Sequence, residues 1–246
     1  MQPFEEFFND ILVLSLDRCQ DRKDGVINMF ENNGVEFYRF FKGVDYTEPI
    51  VQETKNNGSI RQSGFKSCVR CDKKSCSCVL PKNGFLDTEI ANWLSFIAIF
   101  NELKNKKIKN ALILEDDIVF TKKGISIMNS TFTKDFYKKK NINPDKPILI
   151  RIGSGYNFKI HESQNSPFLE KTYRMSNPAF FVNDKFVDFF LSNYLPISYT
   201  SDMFIHKKIM DLNPSAEIQH FSLTPSPIYE LSWGSKKRYK SLIRNN

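Results

Sequence analysis

The chain has 246 residues, 41% of them hydrophobic and 14% aromatic, so it can bury a full core and a globular protein is expected. Its formal net charge of +7 suits a polyanionic partner such as a nucleotide diphosphate. No DNA-reading zinc finger, RNA-binding sheet signature or basic heptad region occurs, and no apolar stretch approaches the ~18 residues of a membrane span, so neither nucleic acid nor a spanning helix is expected.

In chain order, DILVLSL (10–16) has the β-branched apolar content of a short strand. Asp21 to Asn33 places Val26, Ile27, Met29 and Phe30 at helical spacing before Gly34, and VEFYRFF (35–41) reads as a second strand. The sequence therefore opens as a βαβ unit. Residues 46–87 are rich in Asn, Gly, Ser, Lys and Cys with almost no periodic apolar face, which predicts an insertion or long ordered loop.

DTEIANWLSFIAIFNELKNKK (87–107) carries Ile90, Trp93, Leu94, Ile97, Ala98 and Leu103 at helical spacing, with Asp87 or Thr88 as N-cap. ALILEDDIVF (111–120) and ILIRIG (148–153) follow as strands, and NDKFVDFFLSNY (183–194) as a second amphipathic helix capped by Asn183. Alternating strands and helices predict an α/β domain over 1–246 with parallel strands and a Cys-rich insertion at 46–87. Ligands of such sheets collect at the carboxyl ends of the strands, where Glu115, Asp116 and Asp117 stand.

Along an extended strand Glu115 and Asp117 would face one side and Asp116 the other. Like charges so close are costly to bury unless a cation or donors compensate, and a hard divalent ion shared with substrate phosphates would do so. An acidic turn in solvent is the competing reading.

CVRCDKKSCSC places Cys68, Cys71, Cys76 and Cys78 within one short segment that lacks an apolar core. Four thiolates can wrap one tetrahedral Zn2+, which would staple the insertion; disulfides are the alternative if the chain is exported. No signal-peptide pattern stands at the N-terminus, so a cytoplasmic location is expected. The tail carries Lys236, Lys237, Arg238, Lys240 and Arg244, a solvated run or a peripheral contact with a membrane surface.

The ordered set SLDRCQDRK (15–23), GVD (43–45), TEIANWLS (88–95), LILEDDIVF (112–120), ILIRIG, KTYRMSNPAFFVNDKFVDFFLSN (171–193) and YTSDMFIHKKI (199–209) resembles glycosyltransferase family 25. That family includes bacterial lipooligosaccharide sugar transferases and collagen hydroxylysine galactosyltransferases. The resemblance implies a GT-A (Rossmann-like) fold. It also implies inverting transfer of a hexose, such as galactose or glucose, from a nucleotide-diphosphate donor, most simply a UDP-sugar. The acceptor would be a hydroxyl of a glycan, lipid-linked sugar or protein, and the cofactor Mn2+ or Mg2+.

On that resemblance Asp117 would bind Mn2+, Glu115 would contact the ribose or donor sugar and share the catalytic centre, and Asp116 would hold the loop or the donor. Ser15, Asp17 and Arg18 would lie beside the nucleotide, Arg22 would meet the diphosphate, and Glu89 and Ser95 would line the donor side. Asp17 as a helix cap and Arg18 in a surface ion pair are the structural alternatives. Asp202 is the candidate base, with a helix cap as its alternative and His206 as a possible partner. In SPIYELSWGSKKRYK (226–240) Trp233 is a candidate acceptor contact.

One departure from the family pattern stands out: where relatives carry Ser-His on the long helix, this chain has Ser95-Phe96. A non-catalytic relative that binds nucleotide sugar or glycan therefore stays open, as does a zinc-stapled interaction protein. A phosphoryl-transfer enzyme is disfavoured because no glycine-rich phosphate loop ending in Lys-Ser or Lys-Thr is present.

Overall fold

The computed structural model describes residues 1–76, 78, 83–155, 166–171, 178–212 and 217–232. A 3-10 turn (Pro3–Glu6) leads into β1 (Asp10–Ser15), α1 (Gln20–Asn32), β2 (Arg39–Lys42) and α2 (Pro49–Asn56). After the cysteine segment come α3 (Asp87–Asn105), β3 (Asn110–Glu115), β4 (Ile118–Phe120), α4 (Gly124–Thr131), α5 (Phe136–Lys140), β5 (Ile148–Arg151) and β6 (Gly153–Ser154). Then follow β7 (Phe168–Glu170), β8 (Ala179–Asn183), α6 (Asp184–Asn193) and α7 (Ser201–Met203). A π-helical turn (Phe204–Lys208) continues into α8 (Ile209–Leu212), and β9 (Gln219–Thr224) and β10 (Ile228–Glu230) complete the described elements.

Seven strands form one sheet in the order β2-β1-β3-β8-β5-β9-β7, and β4, β10 and β6 form a second, smaller one. The α/β alternation expected from the sequence is present, but the sheet is mixed rather than parallel. β1 runs parallel to both β2 and β3, whereas β8 lies antiparallel between β3 and β5.

Strand residues alternate between two cores, as the pleat requires. Ile11, Val13, Leu112, Leu114, Ile148, Ile150 and Phe181 pack with the N-terminal aromatics Phe4, Phe7 and Phe8 and with α1, α4 and α5. Leu12, Ala111, Ile113, Leu149, Phe180 and Val182 face Trp93, Phe96, Ile99 and Phe100 of α3 and Phe186 and Phe190 of α6. Both faces of the sheet are thus covered, which is why its central strands read as continuous apolar runs.

Four expectations are corrected. The predicted strand 35–41 shrinks to β2 because the amides of Glu36 and Phe37 donate to the buried Glu5 carboxylate instead of to a neighbouring strand. The predicted insertion begins later than residue 46, because α2 forms with Pro49 in its first turn and Val51 buried against α3. The N-cap of α3 is Leu86, not Asp87 or Thr88, and the Glu89 carboxylate reaches back to accept from the Leu86 amide at 3.0 Å. Finally, ALILEDDIVF is not one strand: β3 ends at Glu115, and β4 departs into the small sheet.

Asn183 caps α6 as expected, its Oδ1 accepting from the Phe186 amide at 3.0 Å. Gly124 permits the close approach that seats the small sheet, since a Cβ there would lie 2.4 Å from the Pro227 carbonyl oxygen. Among the described residues no helix is long and apolar enough to cross a membrane. The basic tail and Trp233 lie outside the described residues.

Phe181 joins the sheet to the N-terminal aromatics, its ring centroid 5.4 Å from that of Phe7 and 5.8 Å from that of Phe8. Phe181→Ala is expected to cost about 3–5 kcal/mol, seen as a lower urea midpoint with an unchanged slope. A loss below about 1 kcal/mol would mean that this layer does not hold the sheet.

Candidate active site

Parallel pairing of β1 with β2 and β3 brings three carboxyl ends together, with Leu14 opposite both Phe41 and Glu115. A cleft of about 730 Å³, open to solvent, lies over these ends. Its floor is Leu14 to Leu16 and Glu115 to Asp117, and one wall is the face of α3 that carries Thr88, Ala91, Asn92 and Ser95. Gly43, Val44 and Tyr46 form the mouth; Glu230 and Ser232 close the far side from the end of β10.

Because β3 ends at Glu115, all three acids line this cleft, rather than dividing between two faces as strand alternation predicts. Asp116 is held from both sides: Ser15 Oγ donates to its Oδ2 at 2.6 Å and Arg22 Nη1 to its Oδ1 at 3.0 Å. The same guanidinium lies 3.5 Å from Asp117 Oδ2. The Asp117 carbonyl accepts from the Leu231 amide at 2.6 Å, so β10 is docked on the acidic turn. Asp117 Oδ1 is buried and without a hydrogen-bond partner among the described residues, as is Asn92 Oδ1 on the α3 wall.

Among the described residues, the buried Arg22 guanidinium thus answers both Asp116 and Asp117. Burial, then the charges of Asp117, Glu230, Asp202 and Asp116, push Glu115 well above the usual carboxylate range. Asp117 is pushed up to about 7 by burial and by Glu230, against the opposing pull of Arg22 and a hydrogen bond from Ser232. Asp202 is not among the residues lining the cleft, although its charge contributes to the rise at Glu115.

The other candidates divide. Arg18 lines the mouth, ion-paired with Asp45 at 2.5 Å and set 5.6 Å over the Tyr46 ring. Ser95 lines the wall while its Oγ donates to the Ala91 carbonyl and accepts from the Val44 amide, both at 2.8 Å, which fixes the mouth loop to α3. Asp17 does not line the cleft: its exposed carboxylate pairs with Lys42 at 2.9 Å and Lys23 at 3.5 Å, and Cys19, not Asp17, is the N-cap of α1. Glu89 does not line it either, because Arg70 from the cysteine segment takes both its oxygens at 2.6 Å.

Asp202 stands in the first turn of α7, whose N-cap is Thr200, so it is not the cap. His206 does not pair with Asp202. It is buried, and its Nδ1 accepts from Arg151 Nε at 2.5 Å, while burial, Arg151 and His220 hold its pKa well below the ordinary value. Phe96 packs in the core against Phe180, centroids 5.8 Å apart, on a different face of α3 from Ser95.

Sequence reasoning passed over Glu230 and Ser232, whose signal was two polar residues at alternate positions after the apolar run of β10. It also passed over Thr88 and Asn92, which with Ser95 stand at i, i+4 and i+7 of α3.

Away from the cleft, Cys68, Cys71, Cys76 and Cys78 are free thiols whose sulfur atoms all lie within 4.8 Å of one another. This set can hold a metal ion such as zinc.

The family model described as "Glycosyltransferase family 25 (LPS biosynthesis protein)" matches residues 8–205. The chain belongs to glycosyltransferase family 25. The acidic cleft is therefore the candidate centre of a sugar-transferring enzyme. Among solved structures the chain is similar to the crystal structure of a glycosyltransferase involved in the glycosylation of the major capsid of PBCV-1. The identity is 12% and the TM-score 0.41, over 92% of this chain and 94% of that one. No curated protein matches the chain.

Raising the Asp117 pKa from 3.8 to about 7 gives a pH signature. Well below pH 3.8 the carboxyl is protonated in both the folded and the unfolded chain, so no penalty exists. The penalty grows as pH rises toward 7 and is constant above it. Asp117→Asn removes it, so in metal-free buffer the variant's Tm should approach the wild type's as pH falls below 3.8 and exceed it increasingly up to pH 7. A Tm difference independent of pH would refute this assignment.

Proposed function

We propose that this family 25 glycosyltransferase moves a hexose, with inversion, from a UDP-sugar to a hydroxyl of a glycan, lipid-linked sugar or protein acceptor, with Mn2+ as the cofactor. The observation that carries this reading is the convergence of Glu115, Asp116, Asp117 and Glu230 on one cleft with a single buried guanidinium among them. A nucleotide diphosphate is an anion, and so acidic a cleft binds it only with a cation between. The unpartnered Asp117 Oδ1 fits such a cation, which binds through one or two carboxylates and substrate phosphates. When bound, the ion neutralises the departing nucleoside diphosphate as a Lewis acid.

The protein's own groups have distinct parts. Arg22 and Ser15 hold Asp116, so the acidic turn keeps its shape when Asp117 takes the metal. Leu14, Leu16, Val44, Ala91 and the Tyr46 ring offer an apolar slot for the base, with Arg18 at its edge toward the diphosphate. Asn92, Glu115 and Glu230 supply acceptors for ribose and sugar hydroxyls. Asp202 accepts the proton of the acceptor hydroxyl as its oxygen bonds to the anomeric carbon and the bond to the phosphate oxygen breaks. Zinc on the four thiols is structural, with no open position for substrate.

A screen of UDP- and GDP-sugars with Mn2+ or EDTA tests the reading. One donor should be turned over with Mn2+ and not with EDTA, and Asp117→Asn should abolish this. Asp202→Asn should slow transfer by about 100- to 10,000-fold while Mn2+-dependent nucleotide binding persists. Transfer unaffected in Asp202→Asn would move the base elsewhere. Nucleotide binding with no turnover of any donor or acceptor would leave a binding relative.

A further inference from the structure

The turn between the first two cysteines does more than place thiols. Cys68 closes it, donating its amide to the Lys73 carbonyl at 3.0 Å and accepting from the Asp72 amide at 2.8 Å, and Asp72 has a left-handed φ of 59°. Three residues of the turn then grip the body. The Val69 carbonyl accepts from the Thr200 amide at 2.9 Å, Arg70 clasps Glu89 at the start of α3, and Asp72 pairs with Lys207 at 3.3 Å and with Lys208. Just upstream, Ser59 and Arg61 bond the backbone of Ile197 at 2.9 Å each.

These contacts all fall on two segments: the start of α3, whose Thr88 lines the cleft, and residues 197–208, which carry Asp202. Yet from Arg61 to Phe85 the buried hydrophobics among the described residues are Cys68 and Val69 alone. So little apolar burial cannot offset the cost of ordering this segment. Four sulfurs mutually within 4.8 Å match a tetrahedral Zn–thiolate centre, whose ~2.3 Å bonds place sulfurs roughly 3.8 Å apart.

We propose that Zn2+ bound by Cys68, Cys71, Cys76 and Cys78 locks this turn, and that the turn is the positioning device for residues 197–208, the segment that carries Asp202. Zinc binding displaces the thiol protons to solvent and requires no redox partner. The consequence for transfer rests on the role proposed for Asp202; the metal site and its mechanical link do not.

The test uses the full chain, purified without added metal and then stripped with a zinc chelator under reducing conditions. Zinc is expected at about one equivalent per chain, with the thiols shielded until it is removed. Stripping should accelerate amide exchange in peptides covering 197–208 and leave β1 and β3 protected. With excess Mn2+ restored, donor hydrolysis should persist while transfer falls by about 100-fold, and added zinc should rescue it. Cys71→Ser should reproduce the stripped state. Should that variant not accumulate folded, Asp72→Asn, which keeps every thiol, should retain zinc and show faster exchange at 204–208.

Disulfides, or no zinc, would overturn the metal site. Zinc without an exchange change at 197–208 would overturn the positioning role, as would equal loss of protection in β1 and β3. Metal content and exchange are read without any turnover, so failure of the sugar-transfer reading is distinguishable from failure of this one.

Discussion

The structure is organised around an electrostatic conflict at the end of β3. Two unit charges of like sign ~4 Å apart repel by about 4 kcal/mol even at an effective dielectric of ~20. Here Glu115, Asp116 and Asp117 are consecutive, with Glu230 brought in from β10. The buried Arg22 guanidinium bridges Asp116 and Asp117, and Ser15 completes the hold on Asp116. Burial and the mutual repulsion of these acids push Glu115 and Asp117 upward. A cluster of like charges held buried in this way costs stability unless a cation or donors compensate it.

The sheet is what makes the cluster possible. Parallel pairing puts the carboxyl ends of β1 and β3 side by side, so Ser15 and the acidic turn meet although they are a hundred residues apart in sequence. Parallel strands buried on both faces lack polar alternation, and that absence made β1, β3 and β5 readable as strands from apolar runs alone. The helices α3 and α6 were readable for the complementary reason, their period of 3.6 and, in α6, the Asn183 cap. What escaped reading depended on partners distant in sequence. Nothing within VEFYRFF shows that Glu5 will take two of its amides, and nothing near α3 shows that Arg70 will occupy Glu89.

The same limit explains the uneven outcome at the site. Residues adjacent in sequence to the acidic motif were found, because a strand end is a local property. Glu230 and Ser232 reach the cleft through the second sheet, where β10 pairs antiparallel with β4 and the Leu231 amide just after it donates to the Asp117 carbonyl. Position 96 is instructive in another way. The family pattern suggested an imidazole beside the donor, but Phe96 packs on Phe180 in the core, while Ser95 beside it faces the cleft. The substitution therefore alters packing between α3 and β8 and leaves the wall of Thr88, Asn92 and Ser95 in place.

Helix α3 is consequently a shared beam. Ser95 anchors the Val44 mouth loop, Glu89 anchors the cysteine segment through Arg70, and the Trp93 indole donates to the Tyr199 carbonyl at 2.8 Å, just before Asp202. Two candidate ion sites of opposite character thus report to one rigid element. Carboxylate oxygens at the cleft select hard cations, whereas four thiols select a soft or borderline one. An ion that prefers one ligand set competes poorly for the other. A structural metal beside a transient one would require that sorting, and this chain keeps its oxygen and sulfur ligand sets in separate segments.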